Sequence, residues 1–149
     1  ETGMTVLRGV ASEEEARTAV HEVSAKEIPF IKIWVDGRGG SQEKLPREVY
    51  RAIIDEARAH SIGVIVHQQN AQDMPDLLEA GVAGFKCATL KELEMVLDAG
   101  AGLAILSYPQ VQKLKVDRLS ELAAELTSRV LDAEEVDQSG EDGPSEIWV

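Results

Sequence analysis

The sequence predicts an α/β fold: about five consecutive βα units with a parallel sheet, forming a partial TIM-like barrel or an open doubly wound sheet. Three observations carry this prediction. Strand-like and helix-like apolar runs alternate almost from end to end. Helix-start signals and glycine stops fall at the boundaries between them. The 149 residues are also too few to close an eight-unit barrel, which takes about 200–250 or more.

Taking the elements in order, residues 5–10 form a first strand-like run. Ser12 with Glu15 three positions later makes a capping box, and Ala16, Ala19, Val20 and Val23 follow at helical spacing. Residues 30–35 read Phe-Ile-Lys-Ile-Trp-Val and make the second strand. Pro46 in a first helical turn opens a helix with Val49, Tyr50, Ile53, Ile54 and Ala57 on one side. Residues 64–66 are a short buried strand ending at His67. A helix from about Met74 to Ala80 stops at Gly81, a C-terminal cap. Residues 84–88 are the fourth strand. Thr89 and Glu92 repeat the capping box, and Leu93, Val96 and Leu97 lead to a stop at Gly100. Residues 103–106 are the fifth strand, and Asp117 caps a last helix carrying Leu119, Leu122, Ala123, Leu126 and Val130. Five such units in series call for right-handed crossovers between parallel strands.

Residues 1–132 are therefore read as one βα-repeat domain, and 133–149 as an acidic, disordered tail. The tail ends in Ile147, Trp148 and Val149, an apolar run that docks elsewhere or begins a sixth strand. The opening Glu-Thr-Gly fits either residues added in cloning or the cut edge of a longer chain.

Aromatic residues make up only 4% of the chain, so Val, Ile, Leu and Ala must build the core. The formal charge of −12 disfavours nucleic acid and anionic membrane, so neither is expected as a partner, because their phosphates would repel the chain. Seven of the acids follow Arg129 with no base among them. One cysteine allows no internal disulfide. No apolar run approaches the roughly 20 residues of a membrane span. A soluble, cytoplasmic protein with a small-molecule substrate, if it is active, is the expectation.

Chemistry gathers where a parallel sheet usually places it, at the carboxyl ends of the strands. Three candidates fall near those ends on consecutive strands: Lys32, His67 and Cys87. Phe30, Lys32, Trp34 and Asp36 share one face of their strand, so Lys32 carries an ammonium into a core strand and needs a reason. It can pair with Asp36 or a glutamate, act as a neutral nucleophile, or take up CO2 as an anionic carbamate that bridges two metal ions. His67 suits a metal through its imidazole or bonds a backbone carbonyl. Cys87 suits a metal as thiolate or is simply a small buried hydrophobe. Residues 37–40, Gly-Arg-Gly-Gly, match neither nucleotide-binding fingerprint and read as a flexible loop.

Two family resemblances run along the chain. From about residue 10 to 81, "EEARTAVHEVSAKEIPFIKIWVDGRGG", "KLPREVYRAIIDEARAHSIGVIVH" and "DLLEAGV" resemble the middle of a metal-dependent amidohydrolase barrel of the imidazolonepropionase-like group. That resemblance implies that Lys32 matches the carboxylated, metal-bridging lysine and His67 a metal-binding histidine. The family's His-x-His pair and its last-strand aspartate have no counterpart here, and Lys86-Cys87 stands where the family has Glu-His. From about 81 to 125, "GFKCATLKELEMVLDAGA", "LAILSYP" and "DRLSELAAE" resemble the barrel of pyridoxal-phosphate (PLP) enzymes of the alanine racemase and D-threonine aldolase type, and "EIWV" is similar to a later strand there. The stretch that should hold the Schiff-base lysine, residues 67–73, has no lysine. The chain thus reads as a chimera of two barrel pieces with a seam near 81–84.

Three functions follow. The first is a metal-dependent hydrolase of C–N bonds, using zinc or a similar divalent ion, as an incomplete or inactive barrel fragment. The second is a PLP-dependent fragment. The third is a non-catalytic βα scaffold that self-associates through its open sheet edge into a homo-oligomer.

Overall fold

Two capping boxes spelled alike open two helices wired alike. In the computed structural model, Ser12 Oγ accepts from Glu15 N at 3.2 Å while the Glu15 carboxylate accepts from Ala11 N at 2.7 Å. Thr89 Oγ1 likewise accepts from Glu92 N at 3.2 Å, and Glu92 accepts from Ala88 N at 2.6 Å. Each box satisfies backbone donors that the first turn leaves over, which is why both helices start where the sequence predicts. The structure describes residues 8–107, 113–136 and 146–148.

The chain divides into two units, Glu1–His67 with Asp76–Val82, and Gln68–Pro75 with Ala83–Val149. The first contains α1 (Glu13–Ser24), β1 (Phe30–Trp34), α2 (Arg47–Ala59), β2 (Gly63–His67) and most of α3 (Met74–Ala80). β1 and β2 are parallel, in register from Phe30 opposite Gly63 to Trp34 opposite His67. Ile33, Val35, Val64 and Val66 fall on one face of this pair and are buried, as are Val49, Ile53, Ile54 and Ala57 of α2. Ala16 and Val20 are the buried residues of α1, which packs against α2. The Val and Ile side chains among these contribute about 1.5–3 kcal/mol each when fully removed from water.

α3 is tied to α2 by charge. Asp76 accepts from Arg51 Nε at 3.2 Å, from Arg47, and from the hydroxyl of Tyr50. Arg51 is the chief reason that the Asp76 carboxyl lies well below the ordinary carboxylate range. At the other end of α3, Arg58 donates to the Ala80 carbonyl at 2.5 Å, and Gly81 turns the chain with φ +81°.

The second unit contains β3 (Gly84–Cys87), α4 (Leu90–Asp98), β4 (Leu103–Leu106), α5 (Lys113–Val136) and β5 (Glu146–Trp148). β4 pairs in parallel with β3 and with β5. Phe85, Cys87, Ala104 and Leu106 share the buried face, and Leu93, Val96 and Leu97 are the buried residues of α4. At the start of β3, a side chain on Gly84 would meet Leu103 at 2.8 Å. Arg118 Nε donates to Glu94 at 2.6 Å and so joins α5 to α4.

Three expectations change here. Arg8, Gly9 and Val10 of the expected first strand have no strand structure, and residues 5–7 lie outside the described residues. The last helix begins at Lys113 rather than at a cap on Asp117; Asp117 sits one turn in and pairs with the Lys113 ammonium at 2.6 Å. That helix also runs past 132 to Val136, while Glu146–Trp148 is a strand, in line with the strand reading of the apolar ending. Residues 37–40 stay a glycine-rich turn, with Gly39 and Gly40 at φ +67° and +87° and the Gly37 carbonyl accepting from Gly40 N at 2.8 Å. No described helix is long and apolar enough to cross a membrane.

Candidate functional site

In register, Lys32 lies opposite Ile65 and Trp34 opposite His67. Neighbouring positions of a parallel ladder point the same way, so Lys32, Trp34, Ile65 and His67 share one face of the β1–β2 pair. The ladder continues beyond Trp34 through a bond from Val35 N to the His67 carbonyl at 3.1 Å. This carries Asp36 round to the same end: its Oδ2 lies 3.8 Å from His67 Nε2, and both residues are buried. An imidazole and a carboxylate thus meet at the carboxyl end of two parallel strands.

Lys32 departs from the expectation of a buried ammonium. It is exposed, and on the same face Phe30 is 52% exposed. Because alternate residues of β1 face opposite ways, Ile33 and Val35 supply the core while Lys32 reaches water. Its ammonium lies over the Trp34 ring, 3.6 Å from the centroid, where the electron-rich face attracts it.

Cys87 belongs to the second unit. It shares a face with Phe85 and is 1% exposed. Burial, with the Glu92 charge adding to it, pushes its thiol up to about 12. Its carbonyl accepts from both the amide (3.0 Å) and the hydroxyl (3.2 Å) of Ser107, which extends the β3–β4 ladder. In the same unit Gln68 shapes the loop that follows β2. Its Oε1 accepts from Gln69 N and Asn70 N at 2.7 and 2.9 Å, and its Nε2 donates to Asp73 at 2.9 Å.

Sequence reading overlooked one constellation. His21 in the last turn of α1, Glu56 of α2 and His60 at its C-terminal cap bring three ligand atoms within 4.8 Å of one another. The Glu56-x-x-x-His60 spacing was legible as one helical face. The approach of His21 was not, since it depends on how α1 packs against α2.

No protein-family model matches the sequence, and no curated protein matches it. Solved structures share its fold. A prolidase crystallised with N-methylphosphonate-L-proline is 23% identical with a TM-score of 0.53, over 68% of this chain and 27% of its own. An amidohydrolase is 21% identical with a TM-score of 0.53, over 67% and 26%. The ochratoxinase of A. niger is 17% identical with a TM-score of 0.51, over 82% and 34%. The chain therefore spans about a quarter to a third of the length of these structures. At these identities the likeness is one of fold, a βα segment arranged like part of theirs.

Proposed function

We propose that this chain is part of a metal-dependent hydrolase of C–N bonds of the amidohydrolase type, with Lys32 and His67 among the metal ligands. The observation that carries the reading is their position. They lie on adjacent parallel strands and on one face, with Asp36 beside His67 at the carboxyl end. The fold shared with a prolidase, an amidohydrolase and an ochratoxinase supports it.

The donor chemistry fits a divalent ion. His67 offers an imidazole, and the neighbouring Asp36 carboxylate favours the orientation and charge that a cation needs. Lys32 is exposed, so CO2 can reach its amine; carbamate formation from the ammonium would form an N–C bond, release two protons and turn a cationic side chain into an anionic ligand. A divalent ion supplies Lewis acidity toward a carbonyl and toward water when bound. Cys87 is the weakest of the three candidates, because burial holds its thiol protonated. Further ligands would come from another copy of the chain or from additional sequence. The PLP reading draws no support from the likenesses above.

The test is metal retention. Protein loaded with zinc or manganese and dialysed should hold more metal with bicarbonate than under CO2-free conditions, and Lys32→Ala should abolish that difference. Turnover of Xaa-Pro dipeptides and N-acyl amino acids should follow the same pattern. Retention that is indifferent to bicarbonate and to Lys32→Ala overturns the proposal.

A further inference from the structure

We infer that His21, Glu56 and His60 form a second, separate metal site, one that clamps the C-terminal ends of α1 and α2 with a zinc-class divalent cation. The His60 imidazole lies 3.2 Å from Glu56 Oε1. The His21 and His60 rings are 5.5 Å apart, centroid to centroid, and tilted by 57°. A tetrahedral ion with bonds of about 2.0–2.1 Å separates its ligand atoms by about 3.3 Å. The Glu56–His60 edge is already at that length, and the three ligand atoms, all within 4.8 Å of one another, need side-chain shifts of only about 1–1.5 Å to complete the triangle.

A glutamate and a histidine four residues apart on a helix are often just a helical pair. His21 is what distinguishes this group, because it comes from a different helix and converts a local pair into a three-ligand set. Two imidazoles and a carboxylate are nitrogen and oxygen donors of the borderline type that zinc and cobalt(II) prefer, and three protein ligands leave a fourth position for water. Arg17 Nη1 lies 3.4 Å from Glu56 Oε2, while His60 contacts the other oxygen, Oε1. It can hold the carboxylate from behind, as outer partners of metal ligands do. Glu56 and His60 keep about a quarter of their side-chain surface in water and His21 is exposed, so an ion can reach the site directly. None of these residues lies on the strand face that carries Lys32 and His67.

Cobalt(II) and zinc are the probes, used on the full chain without a histidine tag. Cobalt should bind with visible absorption bands characteristic of tetrahedral coordination, and zinc should displace it. Saturating zinc should raise Tm by about 4 °C or more, as expected for a ligand that binds only the folded state of a chain this size. In CO2-free buffer His21→Ala and His60→Ala should each remove the bands and weaken zinc binding at least tenfold, while Glu14→Ala, which removes an exposed acid elsewhere on α1, should leave both unchanged. His21→Gln and His60→Gln serve if either alanine variant fails to fold. Absence of the bands in the parent protein, or their persistence in the His21 and His60 variants, overturns the inference. Their loss in Lys32→Ala or His67→Ala alone would assign the ion to the strand face and overturn it equally.

Discussion

The ammonium nitrogen of Lys32 lies 3.6 Å from the centroid of the Trp34 ring, two residues further along the same strand. A ring face at this distance holds a cation by about 0.5–1 kcal/mol at an exposed position. Ring and CO2 thus compete for one nitrogen, the first favouring ammonium and the second requiring a neutral amine. Trp34→Leu should raise the carbamate fraction of Lys32 in bicarbonate about two- to fivefold. Carbon-13 NMR with labelled bicarbonate reads the fraction, with Lys32→Ala as the blank. An unchanged signal would show that the ring does not govern this lysine.

Asp76 anchors three α2 side chains, so Asp76→Asn should destabilise the protein by about 1–2 kcal/mol in urea unfolding. The sign of its pH dependence follows from the direction of its shift. The folded carboxyl is depressed below the unfolded one, so its contribution is complete above about pH 5 and is lost as the pH falls through the unfolded value of about 3.9 and on toward the folded one. Between pH 4 and pH 2 the parent should therefore lose more stability than Asp76→Asn. Parallel losses would mean that the ion cluster contributes nothing.

Gly84 faces Leu103 across the β3–β4 pair with no room for a side chain. Gly84→Val should cost about 1–3 kcal/mol through overpacking. Combining it with Leu103→Ala should recover part of that loss, and thermal unfolding of the four proteins in the cycle measures the coupling. Strict additivity would contradict the contact.

Cys87 should resist alkylation. With its thiol near 12, about one molecule in ten thousand carries a thiolate at pH 8. Iodoacetamide should leave native protein unlabelled over a period that suffices for full labelling in denaturant, as mass spectrometry will show. Rapid native labelling would mean that the face carrying Cys87 opens.

Local signals in the sequence located α1 and α4 well, because each capping box needs only residues within one turn. β1, β2 and β4 were legible from short apolar runs, and Gly81 from its position after the last apolar residue of α3. What failed depended on distant partners. Asp117 looks like a cap when read alone, yet Lys113 and the α4 contact through Arg118 let the helix start a turn earlier. Lys32 looked buried because its strand neighbours are apolar, although alternation alone cannot say which face is covered. The position of Asp36 beside His67 follows from parallel register between two strands, which neither strand shows by itself. His21 joins Glu56 and His60 only through packing between two helices.

The seven residues of α3 are too few to sustain a helix in isolation. Its order is borrowed from Tyr50 and the three arginines of α2 that grip its two ends. Its amide protons should accordingly exchange with deuterium as a cooperative group, released together whenever those side chains let go.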